Sequence, residues 1–235
     1  MGSAAVPHRL AVIRAPSPNF SDRRGGLLPS LVVIHFTAMA SCAASRQRLC
    51  DPTAEVSAHW LIDRDGGAEQ LVDEAMRAWH AGAGAWAGQD DVNSRSIGIE
   101  LQNTGTEPFP EPQMQALEGL LAALLPRWQI APQGVIAHSD MAPARKSDPG
   151  PRFDWHRLAL QGLSVWPKAG PPADPGSFAS HARRFGYPDA APDQVLQAFR
   201  LRFRPWARGP IDATDATLAA DLAARFGLDA GAPAA

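Results

Sequence analysis

Residues 31–36 read Leu31-Val32-Val33-Ile34-His35-Phe36, and residues 134–138 read Gly134-Val135-Ile136-Ala137-His138. Each holds an unbroken apolar run that ends on a histidine. Continuous apolarity marks a strand buried on both faces, as in a sheet covered by helices. In such sheets the residues just past the strand ends line the ligand crevice. Residues 31–34 therefore predict a buried strand and residues 134–138 a further short strand, each placing an imidazole at a strand end. A third run, Ser96-Ile97-Gly98-Ile99-Glu100-Leu101, alternates like a strand and carries a carboxylate near its end. With apolar neighbours, Glu100 is expected to be half-buried, its pKa raised toward the range of a general base. A buried Glu paired with an arginine fits the same position.

Outward from these strands, Ser41–Leu49 reads as a helix that stops before Asp51-Pro52. Residues 58–62 and 68–72 read as a hairpin turned by Asp63-Arg64-Asp65-Gly66-Gly67. Residues 82–88, rich in glycine and alanine and bracketed by Trp79, His80 and Trp86, read as a loop. Met114, Leu117, Leu120, Leu121, Leu124, Leu125 and Trp128 recur at helical spacing over 113–128. Residues 139–155 are polar and proline-bearing and predict irregular structure. The expected class is α/β, a central mixed β-sheet flanked by helices with a small C-terminal three-helix domain. The expected division is an N-terminal arm (1–30), a catalytic unit (31–166), a proline-rich linker (167–175) and a helical unit (176–235). Within that last unit, helices are expected at 176–186, 192–204 and 213–226.

Composition narrows the function. The 235 residues carry a net charge of −2, without the basic excess of a nucleic-acid binder. No run approaches the ~18 apolar residues of a membrane span. The first residues lack a basic stretch followed by an apolar one, which favours a cytoplasmic protein. Cys42 and Cys50, if on one helix, stand about 12 Å apart, too far for a disulfide, and read as free thiols. Of the 22 basic residues only Lys146 and Lys168 are lysine. Lysine kept in an arginine-biased chain suggests a specific need.

Ten residues after His138 comes Asp148, between prolines that stiffen the segment. Two histidines and a carboxylate, with a fourth position left for water, make a catalytic zinc set. Strand-end histidines are also often satisfied core or surface residues, and spacing alone leaves both readings open.

Three segments together resemble the zinc-dependent N-acetylmuramoyl-L-alanine amidases of the amidase-2 (AmpD-like) family. They are Val33-Ile34-His35-Phe36-Thr37, Ser96-Ile97-Gly98-Ile99-Glu100-Leu101 and His138-Ser139-Asp140-Met141-Ala142-Pro143-Ala144-Arg145-Lys146-Ser147-Asp148-Pro149-Gly150-Pro151. Ser57–Gly66 and Ala78-Trp79-His80-Ala81-Gly82 support them, so the resemblance covers roughly residues 30–160. It implies one Zn²⁺ on His35, His138 and Asp148, proton handling by Glu100, and oxyanion stabilisation by Lys146. Some related phage-type amidases and peptidoglycan recognition proteins carry a tyrosine where Ala58 stands. The lone tyrosine here is Tyr187, beyond the linker, so Glu100 is expected to carry acid–base duty alone.

Trp79 and His80 are expected as a substrate wall and Asn103 as a peptide contact. His59 is expected either to orient a metal ligand or simply to pack. Residues 185–199 and 208–212 resemble, more loosely, three-helix peptidoglycan-binding domains. The implied partners are peptidoglycan or muropeptide fragments, with no nucleic acid and no membrane span. A wall-binding appendage favours the cell envelope over the cytoplasm. The alternative function is a non-catalytic peptidoglycan-recognition protein, which typically lacks a metal ligand. A zinc peptidase would call for a helical His-Glu-x-x-His, which does not occur.

Overall fold

The computed structural model describes residues 12–228. Its eight strands are β1 (Val12–Arg14), β2 (Phe20–Ser21), β3 (Leu31–Phe36), β4 (Trp60–Ile62), β5 (Ala68–Gln70), β6 (Arg77–Ala78), β7 (Ser96–Leu101) and β8 (Val135–Ala137). Its helices are α1 (Cys42–Cys50), α2 (Val92–Arg95), α3 (Glu111–Trp128), α4 (His138–Met141), α5 (Trp155–Leu160), α6 (Phe178–Phe185), α7 (Pro192–Phe203) and α8 (Ala213–Phe226). Six strands form a mixed sheet in the order β1-β5-β4-β7-β3-β8. Every pairing in it is parallel except the β4–β5 hairpin, in which Trp60 pairs with Gln70. β2 and β6 make a separate antiparallel ribbon. Among the described residues no helix is long and apolar enough to cross a membrane.

The burial of β3, predicted from its unbroken apolarity, follows from its interior place between two parallel neighbours, β7 and β8. The period of two sorts its side chains. Val32 and Ile34 face α3, packing with Leu117, Leu121 and Leu124. Leu31 and Val33 face the other way and join a cluster with Trp86, Phe178, Phe185, Tyr187, Phe199 and Phe203. His35, in step with Leu31 and Val33, is thereby carried to the face opposite α3. That long helix turns its Met114–Leu125 stripe to the sheet, as its periodicity requires. It ends at Gln129, in the left-handed region at φ 55°, whose N–H reaches the Leu125 carbonyl.

Two expectations change in detail. The stretch after β8 is not wholly irregular, because His138–Met141 closes one helical turn. Of the expected arm, residues 1–11 lie outside the described residues, and residues 12–21 are extended but firmly fastened. β1 pairs with β5, Ser17 Oγ donates to the Leu49 carbonyl at 2.6 Å, and Asn19 Nδ2 donates to the carbonyls of Asp51 and Val56, both at 2.8 Å. The helices near 176–226 form as the sequence suggests and share one apolar cluster with the second face of the sheet. Cys42 and Cys50 are both free thiols, on α1.

Candidate metal centre and active site

β3 and β7 run in register, with Cα of His35 paired to Glu100, so these two side chains leave the sheet together at one rim. β8 ends one residue before His138, and the loop after α4 returns Asp148 to the same point. His35 Nδ1, His138 Nδ1 and Asp148 Oδ2 form a near-equilateral triangle with sides of 2.9, 3.0 and 3.0 Å. All three residues are buried.

Hydrogen-bond direction decides what this triangle is. The Val92 carbonyl can only accept, so Ser96 Oγ donates to it, at 2.6 Å. Ser96 Oγ then accepts from His80 Nε2–H at 3.1 Å. His80 Nδ1, left bare, accepts from His35 Nε2–H at 3.0 Å, and His35 Nδ1 is bare in turn. On the other side His138 Nε2–H donates to the Ala81 carbonyl at 3.0 Å, which bares His138 Nδ1. Asp148 Oδ2 is the third corner, a carboxylate oxygen facing both bare nitrogens. Three lone pairs thus converge with no hydrogen among them, an arrangement that a cation at the centre satisfies. The donor set and size fit zinc, whose tetrahedral bonds of ~2.0–2.1 Å to nitrogen and oxygen imply ligand–ligand edges of about 3.3 Å. The bare edge of the triangle opens into a cavity of about 400 Å³, lined also by Thr37, Arg48, Trp79, Glu100 and Lys146.

Glu100 is half-buried, and its Oε2 is buried without a hydrogen-bond partner. Burial chiefly, then the charge of Asp148, raises its pKa to about 8, while Lys146 pulls it down. Lys146 is exposed at the cavity edge and near enough to bear on both His35 and Glu100.

His80 lines the cavity with Trp79, and its ring also orients His35. His59 makes no bond to the three ligand-type residues. Its Nδ1 accepts from the Gly98 N–H at 2.9 Å and its Nε2 donates to the Met76 carbonyl at 3.0 Å, while its ring meets His80 at 5.8 Å. The orienting place considered for His59 is thus filled by His80. Asn103 is fully buried and away from the cavity. Its amide spans its own loop, donating to the Glu107 and Pro108 carbonyls and accepting from Gly105 N–H. Ser96, the Ala81 carbonyl and Gly98 were not legible as site residues. Gly98 offered one signal, a glycine inside a strand, which marks a close approach. A Cβ there would lie 2.4 Å from the His80 ring.

A family model for N-acetylmuramoyl-L-alanine amidase matches residues 25–151. This chain belongs to that family of amide hydrolases. It is 38% identical over 234 residues to the N-acetylmuramoyl-L-alanine amidase AmiD of Escherichia coli K12, covering 85% of this chain and 84% of that protein. It is 37% identical to the 1,6-anhydro-N-acetylmuramyl-L-alanine amidase AmpD of Citrobacter freundii, over 62% of this chain and 87% of the relative. The solved complex of E. coli AmiD with anhydro-N-acetylmuramic acid-L-Ala-D-gamma-Glu-L-Lys superposes with a TM-score of 0.78 at 34% identity, covering 90% of this chain and 99% of that one.

The imidazoles carry a pH prediction for metal-free protein. Burial first, then the neighbouring His138, lowers His35 to about 4. Burial lowers His59 to about 3 and, with His35, takes His80 well below its usual 6.5. The unfolded chain protonates all three near 6.5, so it binds more protons than the fold, and stability falls as pH drops below that value. Glu100 opposes this, because in the fold it keeps up to about 8 a proton that the unfolded chain loses above its usual 4.5. Near pH 5.5 three imidazoles against one carboxyl leave an uptake of roughly two protons on unfolding. Urea midpoints of chelated protein should decline from pH 7 to pH 5 with that stoichiometry. A flat profile would mean that these rings are charged inside the fold.

Proposed function

We propose that this chain uses one Zn²⁺, held by His35, His138 and Asp148, to hydrolyse the amide joining the lactyl carbonyl of N-acetylmuramic acid to L-alanine. The observation that carries this reading is the triangle of bare acceptors beside an unpartnered buried carboxylate. When bound, zinc would bring the pKa of a water to about 7 and polarise the scissile carbonyl. Glu100 accepts the proton of the attacking water and returns it to the leaving amine of L-alanine. The Lys146 ammonium meets the oxyanion that develops on the carbonyl oxygen. A compact point charge on a flexible stem suits that task better than a guanidinium fork. The half-buried ring of Trp79 walls the cavity where the muramyl–peptide junction would lie.

The relatives support anhydro-muropeptides as one substrate class, since AmpD is a 1,6-anhydro-muramyl amidase by name and AmiD is solved with an anhydro-muramyl tripeptide. Residues 176–235 are proposed to contact the wall, which extends the substrate to intact peptidoglycan. The test incubates the protein with purified sacculi and, separately, with soluble anhydro-muropeptides, with and without a chelator. Mass spectrometry should find free stem peptides beginning with L-alanine from both substrates, and none once metal is removed. Cleavage within the stem, or activity indifferent to chelation, would overturn the reading.

A further inference from the structure

The helices α6–α8 reach the metal centre from behind. Asp140, two residues after His138, is completely buried. Its Oδ2 accepts from the Ala137 N–H at 2.9 Å and from Arg202 Nη1 at 2.5 Å, while its Oδ1 accepts from Tyr187 Oη–H at 2.7 Å. Arg202, at the end of α7, is itself fully enclosed. Its Nη2 donates to the Val135 carbonyl at 3.0 Å and to Ser164 Oγ at 3.2 Å, and its guanidinium lies over Trp155 at 4.3 Å. Two side chains from beyond residue 175 therefore hold β8 and α4, the segment that carries His138.

The second support of His138 is braced from the same direction. Its ring donates to the Ala81 carbonyl, at the head of the loop that contains Trp86. Trp86 is buried against Phe185 and Tyr187, at ring distances of 5.6 and 5.3 Å. The chain at Gly186 takes φ +143°, and a Cβ there would stand 2.6 Å from the Trp86 ring. The Gly186 carbonyl also accepts from the Ala87 N–H at 2.8 Å. Backbone pose and ring pose of His138 thus both rest on segments pinned by the C-terminal helices.

We propose that α6–α8 are a positioning element of the metal centre, with Arg202 and Tyr187 acting through Asp140 to fix His138. This rests on the reading of His35, His138 and Asp148 as metal ligands. Outer partners of metal ligands typically tune affinity 10- to 100-fold.

The test uses the full chain and two readouts, zinc affinity by chelator competition and the visible spectrum of Co²⁺ bound in place of zinc. Tyr187→Phe removes one hydroxyl and should weaken zinc about tenfold with a shifted Co²⁺ band. Arg202→Met should weaken it toward 100-fold, and Arg202→Lys should recover part of the loss. Leu222→Ala, which loosens the α6–α8 packing without touching Asp140, should lower stability and leave zinc affinity and spectrum unchanged. Wild-type affinity and spectrum in Tyr187→Phe, or an equal loss of zinc affinity in Leu222→Ala, would overturn the inference and leave the metal reading intact. Failure of the wild-type chain to take up either metal would overturn both.

Discussion

Glu100→Gln is expected to lower kcat by about 10²–10⁴ while the protein keeps one zinc per chain. The substitution preserves volume and removes only the capacity to carry a proton. Glu100 faces the cavity in register with His35, and its free Oε2 has no protein donor to lose. Stability supplies an independent sign. A carboxyl raised to about 8 by burial favours its protonated form in the fold, so stability is lost as pH rises from 4.5 through 8. Gln escapes that loss. Metal-free Glu100→Gln should therefore unfold at higher urea than metal-free wild type at pH 9 and close to it at pH 4. If the carboxylate instead paired with a buried cation, the variant would be the weaker one at pH 9. Steady-state turnover, bound zinc and the two urea curves together separate these cases.

Lys146→Ala is expected to cost about 10²–10³ in kcat, the usual consequence of removing one oxyanion donor. Its side chain is exposed, so the fold should not register the change. Zinc should stay bound and bind slightly more tightly, because the ammonium repels positive charge at His35, where it depresses the imidazole pKa. Lys146→Arg should recover little. An unchanged kcat in Lys146→Ala would remove the residue from the reaction. A loss confined to KM would assign it to ground-state binding instead.

The strand-end histidines were legible because uninterrupted apolarity marks a strand buried on both faces, and strand ends of an α/β sheet line the ligand rim; β3 is interior, whereas β8, equally buried, lies at the edge of the sheet. Asp148 stood out by its proline-framed segment, but spacing left its role open, and its place beside the two histidines came from the resemblance to the amidase-2 family. The supports of these residues were not legible, because they depend on contacts across the fold. His80 reaches His35 only because Gly98 leaves its strand without a Cβ. No spacing rule announces the serine and main-chain carbonyls that fix the imidazole tautomers. His59 and His80 both stand near strand-like runs, and only the packed sheet tells which one touches His35.

The C-terminal helices were readable as helices, yet their attachment was not. Proline crowding at 167–175 reads as a spacer. In the fold that stretch is tied down, with Lys168 N–H on Asp221 Oδ2 at 2.8 Å and Ala173 N–H on Thr217 Oγ1 at 2.9 Å. Leu31 and Val33 need a partner on the face away from α3, and Phe178, Phe185 and Phe199 belong to the cluster that covers them. A strand buried on both faces carried that demand from the outset, without naming what would meet it.

The claim on which everything else depends is that His35, His138 and Asp148 hold a single zinc with one position open to the cavity. X-ray absorption at the zinc edge of purified protein tests it directly, alongside metal content of Asp148→Ala. One zinc per chain is predicted, with a first shell of nitrogen and oxygen at ~2.0–2.1 Å, two imidazole signatures and no sulfur. Asp148→Ala should lose most of that metal. A shell containing sulfur, a single imidazole, or full zinc occupancy in Asp148→Ala would contradict the account.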